Sequence, residues 1–377
     1  MDIHGGEIYD KNIWLDFSVN TNPLGMPEEA AKQLAKSISV CERYPDDACF
    51  FLREKLAAHY RAQGYSDITP GQILCTAGAS EGILAVVRAL DIKKRRDNSP
   101  DRSRLRALLP VPCFSEYERS LISVEADIYF WQMDEQTGFC LTEQILTDLT
   151  DDIDLLILCN PNNPVGNLTD RELLQRILSE CREKGICVAV DQCFLEFAEE
   201  YRRYDLTGCL TEFSNLVIIN AFTKTYAFAG LRLGYLMCSD VGFLRECSDQ
   251  MPCWSVSIPA QTAGEAALDS TEYMEQSRRL IREERIYLKT ELEREGFLVL
   301  PGTADFLCFR WENKMPGSRN LYRMLLERGV LIRDCSNFRG MPEGYYRIAV
   351  RTRKDNKKLL ELIGECLTET EELMTEG

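Results

Sequence analysis

The sequence predicts an α/β protein with a mostly parallel sheet and helices on both faces, followed by a smaller α+β unit. Three observations carry this. Apolar strand-like runs alternate with helix-like segments from about Ile73 to Met237. After Gly296 the pattern changes to short strands with helices between and after them. At 377 residues the chain is too long for one compact core, which suggests two domains.

The elements follow in order. Residues 73–76 read as a short strand, 82–90 as an apolar helix and 106–109 as a strand. Residues 155–160 form an apolar run of buried-strand type that stops at a Pro/Asn/Gly turn. A helix is expected over 170–183, then strands over 187–191 and 216–221. A long polar–apolar helical stretch spans about 260–295, where Arg278, Arg282, Glu283 and Arg285 suit a solvated face. Strands then fall at 297–300, 306–311, 330–333 and 345–350, with helices at 319–328 and 354–373. The expected division is an N-terminal arm over 1–40, a large domain over 41–265 and a linking helix with the smaller domain over 266–377.

Apolar content of 45% and charged content of 28% are ordinary for a soluble globular enzyme. A formal net charge of −16 argues against nucleic-acid binding. The basic cluster Lys93, Lys94, Arg95 and Arg96, with Arg102, Arg104 and Arg106 after it, reads as a solvated loop. Of 16 cysteines no two have C-x-x-C spacing, and there are only two histidines, so a zinc site has little to build on. Residues 1–6 lack the apolar stretch of a secretory signal, and no run is apolar enough to span a membrane. A cytoplasmic protein with reduced thiols is expected.

Four segments carry chemistry. Lys224 follows the apolar run 216–219, flanked by the hydroxyls of Thr223 and Thr225, with Arg232 further on in a Gly-Leu-Arg-x-Gly turn. An amine so placed can attack an aldehyde while the hydroxyl and guanidinium hold a phosphate. Asn160-Pro161-Asn162-Asn163-Pro164-Val165-Gly166 puts amides at a strand end, where ligands of open sheets gather. Asp191 ends another strand and can face a pyridine nitrogen. Ala77-Gly78-Ala79-Ser80 leads from a strand into a helix, whose first amides favour a phosphate. Singly these are a surface lysine, a turn, a capping Asp and an N-cap; their order along one chain is the specific signal.

In that order the chain resembles the fold-type I pyridoxal-phosphate enzymes, the aspartate aminotransferase superfamily of classes I and II. The resemblance implies a seven-stranded sheet and pyridoxal 5'-phosphate as cofactor, with Lys224 as the amine that carries its aldehyde. Asp191 would pair with the ring nitrogen and Asn163 with the ring hydroxyl. Ser80, Thr223, Arg232 and the amide of Ala79 would hold the phosphate, and Phe114 would stack on the ring. Tyr44, in Arg43-Tyr44-Pro45-Asp46, matches a tyrosine lent to the neighbouring subunit's phosphate, which implies a homodimer with composite sites.

The finer likeness is to the threonine-phosphate decarboxylases of cobamide synthesis. It rests on His4-Gly5-Gly6, on residues 16–25 and on 331–338 with 345–351. Histidinol-phosphate aminotransferases share the core motifs but usually carry Tyr three residues after the cofactor Asp, where this chain has Phe194. Gln192 replaces the Glu usual after that Asp and is expected to point away from the ring. The implied substrate is a small amino acid bearing a phosphate. Arg333 and Arg347 would bind its anions, with contacts from His4 and Asn20. A transaminase acting on histidinol phosphate or a related amino acid stays open as the alternative. A cofactor-binding regulator without turnover is disfavoured, because the fold begins close to Met1 with no room for a DNA-binding domain.

Overall fold

A computed structural model of the chain describes residues 5–6, 9, 12–96, 104–311 and 320–376. In chain order the strands are β1 (Leu15–Asp16), β2 (Ile73–Thr76), β3 (Arg106–Val111), β4 (Asp127–Gln132), β5 (Leu155–Cys159), β6 (Cys187–Asp191), β7 (Leu216–Ala221), β8 (Gly234–Met237), β9 (Leu298–Val299), β10 (Phe306–Arg310), β11 (Val330–Leu331), β12 (Arg333–Asp334) and β13 (Tyr345–Ala349).

Seven of these form one sheet in the order β2-β8-β7-β6-β5-β3-β4. Strands β5, β6 and β7 are apolar except for Asp191 and Asn220 near their carboxyl ends, as suits strands covered on both faces. Side chains alternate between them: Leu155 and Ile157 of β5 join one hydrophobic cluster, Leu156 and Leu158 the other. β6 and β7 divide in the same way, and each buried aliphatic side chain contributes about 1.5–3 kcal/mol relative to exposure.

All neighbouring pairs are parallel except those of β8, which runs against both β7 and β2. This one reversal positions the site. The carboxyl ends of β2, β3, β5, β6 and β7 share an edge, and the start of β8 lies at the same edge, with Gly234 opposite both Thr76 and Ala221. Arg232, just before β8, is thereby brought to the Gly78 turn after β2.

A second, antiparallel sheet has the order β12-β13-β10-β9. In its register Arg333 lies directly opposite Arg347, so the two guanidiniums leave the same face. β1 pairs in parallel with β11, and the N–H of Ala349 donates to the carbonyl of Phe17, tying the N-terminal arm to this part of the chain.

The helical stretch expected over 260–295 is two helices, Ile258–Ala267 and Thr271–Arg294. Asp269 and Ser270 interrupt it, being residues that compete for backbone hydrogen bonds. Residues 93–96 are the last turn of helix Ala79–Arg96 and not a loop. Basic residues suit a helix C-terminus, and here Lys94 pairs with Asp154, Arg95 with Asp91 and Arg96 with Glu246. Arg102 lies outside the described residues. Among the described residues, no helix is long and apolar enough to cross a membrane.

Candidate active site

A cavity of about 330 Å³ opens at the shared strand edge, between the two sheets. Eleven of the residues singled out in the sequence line it. From the large sheet come Ala79, Ser80, Phe114, Asn163, Asp191, Thr223, Lys224 and Arg232; from the arm comes Asn20; from the antiparallel sheet come Arg333 and Arg347. Two expected residues are not among them. His4 lies outside the described residues, although its neighbour Gly5 lines the cavity. Tyr44 is 76% exposed and stacks on Trp254 with ring centroids 4.4 Å apart, away from the cavity of its own chain.

At one end, helix Ala79–Arg96 presents its N-terminus. Gly78 has φ +87, and a Cβ there would fall 2.7 Å from Nη2 of Arg232. A Cβ on Gly234 would fall 2.7 Å from the carbonyl carbon of Gly78 and 2.8 Å from the nitrogen of Ala79. Only glycine permits so close an approach of turn, strand and guanidinium. The free helix amides, the Ser80 and Thr223 hydroxyls and Arg232 form a donor set suited to a phosphate.

Asp191 is buried at the end of β6. Its Oδ2 accepts from the Tyr117 hydroxyl at 2.7 Å and its Oδ1 from the N–H of Cys193 at 2.9 Å. Asn163 accepts through Oδ1 from Nη1 of Arg347, which leaves its amide N–H groups free to donate. Arg347 also donates through Nη2 to the carbonyl of Ser18 at 3.1 Å. Among the described residues its Nε is buried without a partner, as is the amide oxygen of Asn20. Burial lowers the Arg347 pKa to about 10. Arg333 is held by the carbonyl of Asp334 at 2.8 Å and Oδ1 of Asn337 at 2.7 Å, over the Phe338 ring.

Lys224 keeps part of its surface open to the cavity, yet lies deep enough that burial pushes its amine below the usual lysine range. Asp305 acts against that push. Its Nζ stands 5.7 Å from the centre of the Phe194 ring. The donor set, the carboxylate, the half-buried amine and the glycine cradle together fit pyridoxal 5'-phosphate: anion donors at one end, a carboxylate for a ring nitrogen and an amine for an aldehyde.

The sequence reading missed three contributors. Tyr117, one helical turn beyond Phe114, fixes Asp191; the Phe-x-x-Tyr spacing was a legible signal. Gly5 enters through the arm, where a Cβ would overlap the carbonyl of Ser18. Asp305 precedes β10, and no motif marks it. Gln192 is turned off the cavity, its amide nitrogen donating to the carbonyl of Tyr204 at 3.3 Å.

A family model described as aminotransferase class I and II matches residues 12–363. The chain is 36% identical over 374 residues to the threonine-phosphate decarboxylase of Salmonella typhimurium, covering 97% of this chain and 96% of the other. It is 30% identical over 342 residues to the histidinol-phosphate aminotransferase of Methanosarcina mazei, covering 90% and 85%. The crystal structure of the histidinol-phosphate aminotransferase from Clostridium acetobutylicum superposes with TM-score 0.82 at 28% identity, covering 94% and 99%.

Proposed function

Because the chain belongs to the aminotransferase class I and II family, whose members depend on pyridoxal 5'-phosphate, we propose that it decarboxylates L-threonine O-3-phosphate to 1-aminopropan-2-ol phosphate in cobamide assembly. The observation that carries this reading is the 36% identity, along nearly the whole of both chains, to a threonine-phosphate decarboxylase. Two guanidiniums on one face of the antiparallel sheet, at Arg333 and Arg347, match a substrate with two anionic groups.

When bound, the cofactor supplies a sink for the electron pair left on the α-carbon as a bond to that carbon breaks. The residues do the rest. Lys224 would hold the aldehyde and, once released, would carry a proton to the α-carbon. Asp191 would pair with the ring nitrogen and favour a proton there. Asn163 would donate to the ring hydroxyl. The Ala79 amide, Ser80, Thr223 and Arg232 would hold the phosphate, and Phe114 would stack on the ring. Arg333 and Arg347 would bind the substrate anions, with Asn20 and Gly5 lining the cavity beside them. The substrate carboxylate leaves as carbon dioxide, and a proton from Lys224 takes its place.

The working unit in this reading is a homodimer. Tyr44, Phe50, Phe51 and Trp254 are large exposed apolar side chains that a second chain would cover, with Tyr44 reaching the partner's phosphate. The reading divides the chain into a large domain over 41–265 and a smaller one built from 1–40 with 266–377, supported by the β1–β11 pairing. Sixteen unpaired cysteines favour a reducing, cytoplasmic setting.

A second reading, transamination of histidinol phosphate, is favoured by the close superposition on such an enzyme. Incubation with L-threonine O-3-phosphate, and separately with histidinol phosphate plus 2-oxoglutarate, separates the two when products are identified by mass. Carbon dioxide and the amino-alcohol phosphate support the decarboxylase. Glutamate production in the second incubation alone refutes it.

A further inference from the structure

Beside the cavity stands a titratable side chain with no task in the scheme above. Asp305 lies just before β10 and is 0% exposed. Its backbone is clamped from two elements. Nη1 of Arg285 donates to the carbonyls of Thr303 (2.9 Å) and Ala304 (3.2 Å), and the N–H of Val350 donates to the carbonyl of Asp305 at 2.7 Å. The carboxylate itself is not clamped: neither oxygen has a hydrogen-bond partner elsewhere among the described residues. Three cations act on it from three elements, Lys224 after β7, Arg347 on β13 and Arg285 on helix Thr271–Arg294. The next residue ties it to the cavity. The Phe306 ring meets Phe194 edge-on at 5.1 Å and lies 5.3 Å from the Arg347 guanidinium carbon, while Phe194 faces Lys224.

A buried carboxyl without donors is costly, and natural proteins rarely keep one idle. Burial pushes the Asp305 carboxyl up to about 6, against the pull of Lys224, then Arg347 and Arg285. On Lys224 the influences run the other way. Burial depresses the amine, Arg347 and Arg232 add to that, and Asp305 is the strongest group holding it up, ahead of Cys193.

Decarboxylation gives this pairing a consequence. The bond from the α-carbon to the carboxylate breaks, its electrons stay with the carbon, and a C–H bond forms with one proton taken up from solvent per turnover. The amine of Lys224 has only to give a proton. Transamination demands the reverse first, a neutral amine that accepts the α-hydrogen as a proton. We propose that Asp305 is a positioning residue for the proton on Lys224: it keeps the released amine charged, so that the amine acts as an acid toward the α-carbon, and thereby selects loss of carboxylate over removal of the α-proton. The selection rests on the decarboxylase reading; the coupling of the two side chains does not.

Asp305→Asn removes the charge and keeps the shape. In the cofactor-loaded protein without substrate, the absorbance change that marks proton loss from the Lys224–cofactor linkage should move down by about one pH unit. With L-threonine O-3-phosphate, the share of turnovers that leave the cofactor aminated should rise about tenfold. A reciprocal measurement needs neither cofactor nor an Asp305 variant. In apo protein the infrared carbonyl stretch of the protonated carboxyl should persist to higher pH in Lys224→Ala than in the parent, by about one unit. Titrations that stay in place in a chain that does decarboxylate overturn the Asp305 assignment alone, as does an unchanged partition between products. A parent chain that yields no carbon dioxide while both titrations shift overturns the decarboxylase reading, and with it the selection, but leaves the coupling standing.

Discussion

The Tyr117 hydroxyl donates to Oδ2 of Asp191 at 2.7 Å, and the ring that carries it meets Phe114 edge-on at 5.7 Å. One side chain thus braces both the residue assigned to the cofactor nitrogen and the residue assigned to the cofactor face. Burial and the nearby carboxylate hold the Tyr117 hydroxyl protonated well above neutral pH, so it remains a donor throughout the working range. With the N–H of Cys193 on the other oxygen, Asp191 cannot rotate freely.

Tyr117→Phe therefore loosens Asp191 without removing it. A loss of about 1 kcal/mol is expected, seen as a five- to tenfold lower kcat with KM little changed. Asp191→Asn keeps the shape but gives up the charge proposed to hold the ring proton, and should cost on the order of a thousandfold in kcat. Steady-state kinetics on the two variants checks the ranking; equal losses would contradict it.

Arg347 reaches the cavity with its buried Nε–H unpaired among the described residues, while Nη1 donates to Asn163 and Nη2 to the Ser18 carbonyl. Its pKa of about 10 leaves it charged at neutral pH. Arg347→Lys keeps a charge and loses the planar fork. The KM for L-threonine O-3-phosphate should rise by about 30- to 100-fold, corresponding to about 2–3 kcal/mol, with a smaller change in kcat. An unchanged KM would place the substrate anions elsewhere.

Asp305 also makes a statement about stability. Its ordinary value is 3.8 and its folded value about 6, so between these pH values the native state keeps a proton that the unfolded chain has lost. Stability therefore falls as pH rises through that window, and the full penalty, about 3 kcal/mol, is present above it. In apo protein, Asp305→Asn should raise the unfolding midpoint at pH 8, and the gain should vanish toward pH 4. Thermal scans across that range measure it; a pH-independent gain would show that ionisation is not the cause.

The proposed composite sites give a prediction that needs no structure of the proposed dimer. Lys224→Ala and Tyr44→Ala chains should each be nearly inactive. Mixed and allowed to exchange, they should regain activity, because one of the two sites in a heterodimer then has both residues intact. No recovery, with exchange verified by mass, would confine Tyr44 to a role within its own chain.

Much of this site was legible because its residues end buried strands. A polar side chain that ends an apolar run, as Asp191 does, or comes a few residues beyond one, as Lys224 does, stands out, and the parallel alternation places those ends together. The direction of β8 was not legible. Gly234–Met237 is a short apolar run like the others, and its antiparallel pairing comes from the tertiary register that seats Arg232 at the Gly78 turn. Residues 93–96 looked like a solvated loop because the carboxylates that pair with them include Asp154 and Glu246, distant in sequence. Asp305 gave no signal at all, since an Asp at the edge of a short strand is commonplace and its meaning lies in Lys224, Arg347 and Arg285, which arrive from three other elements.

The direct measurement is to reduce the cofactor-loaded protein with borohydride, digest it and map the labelled peptide. The account predicts a pyridoxyl group on Lys224 alone. A label on any other side chain, or none, would contradict it.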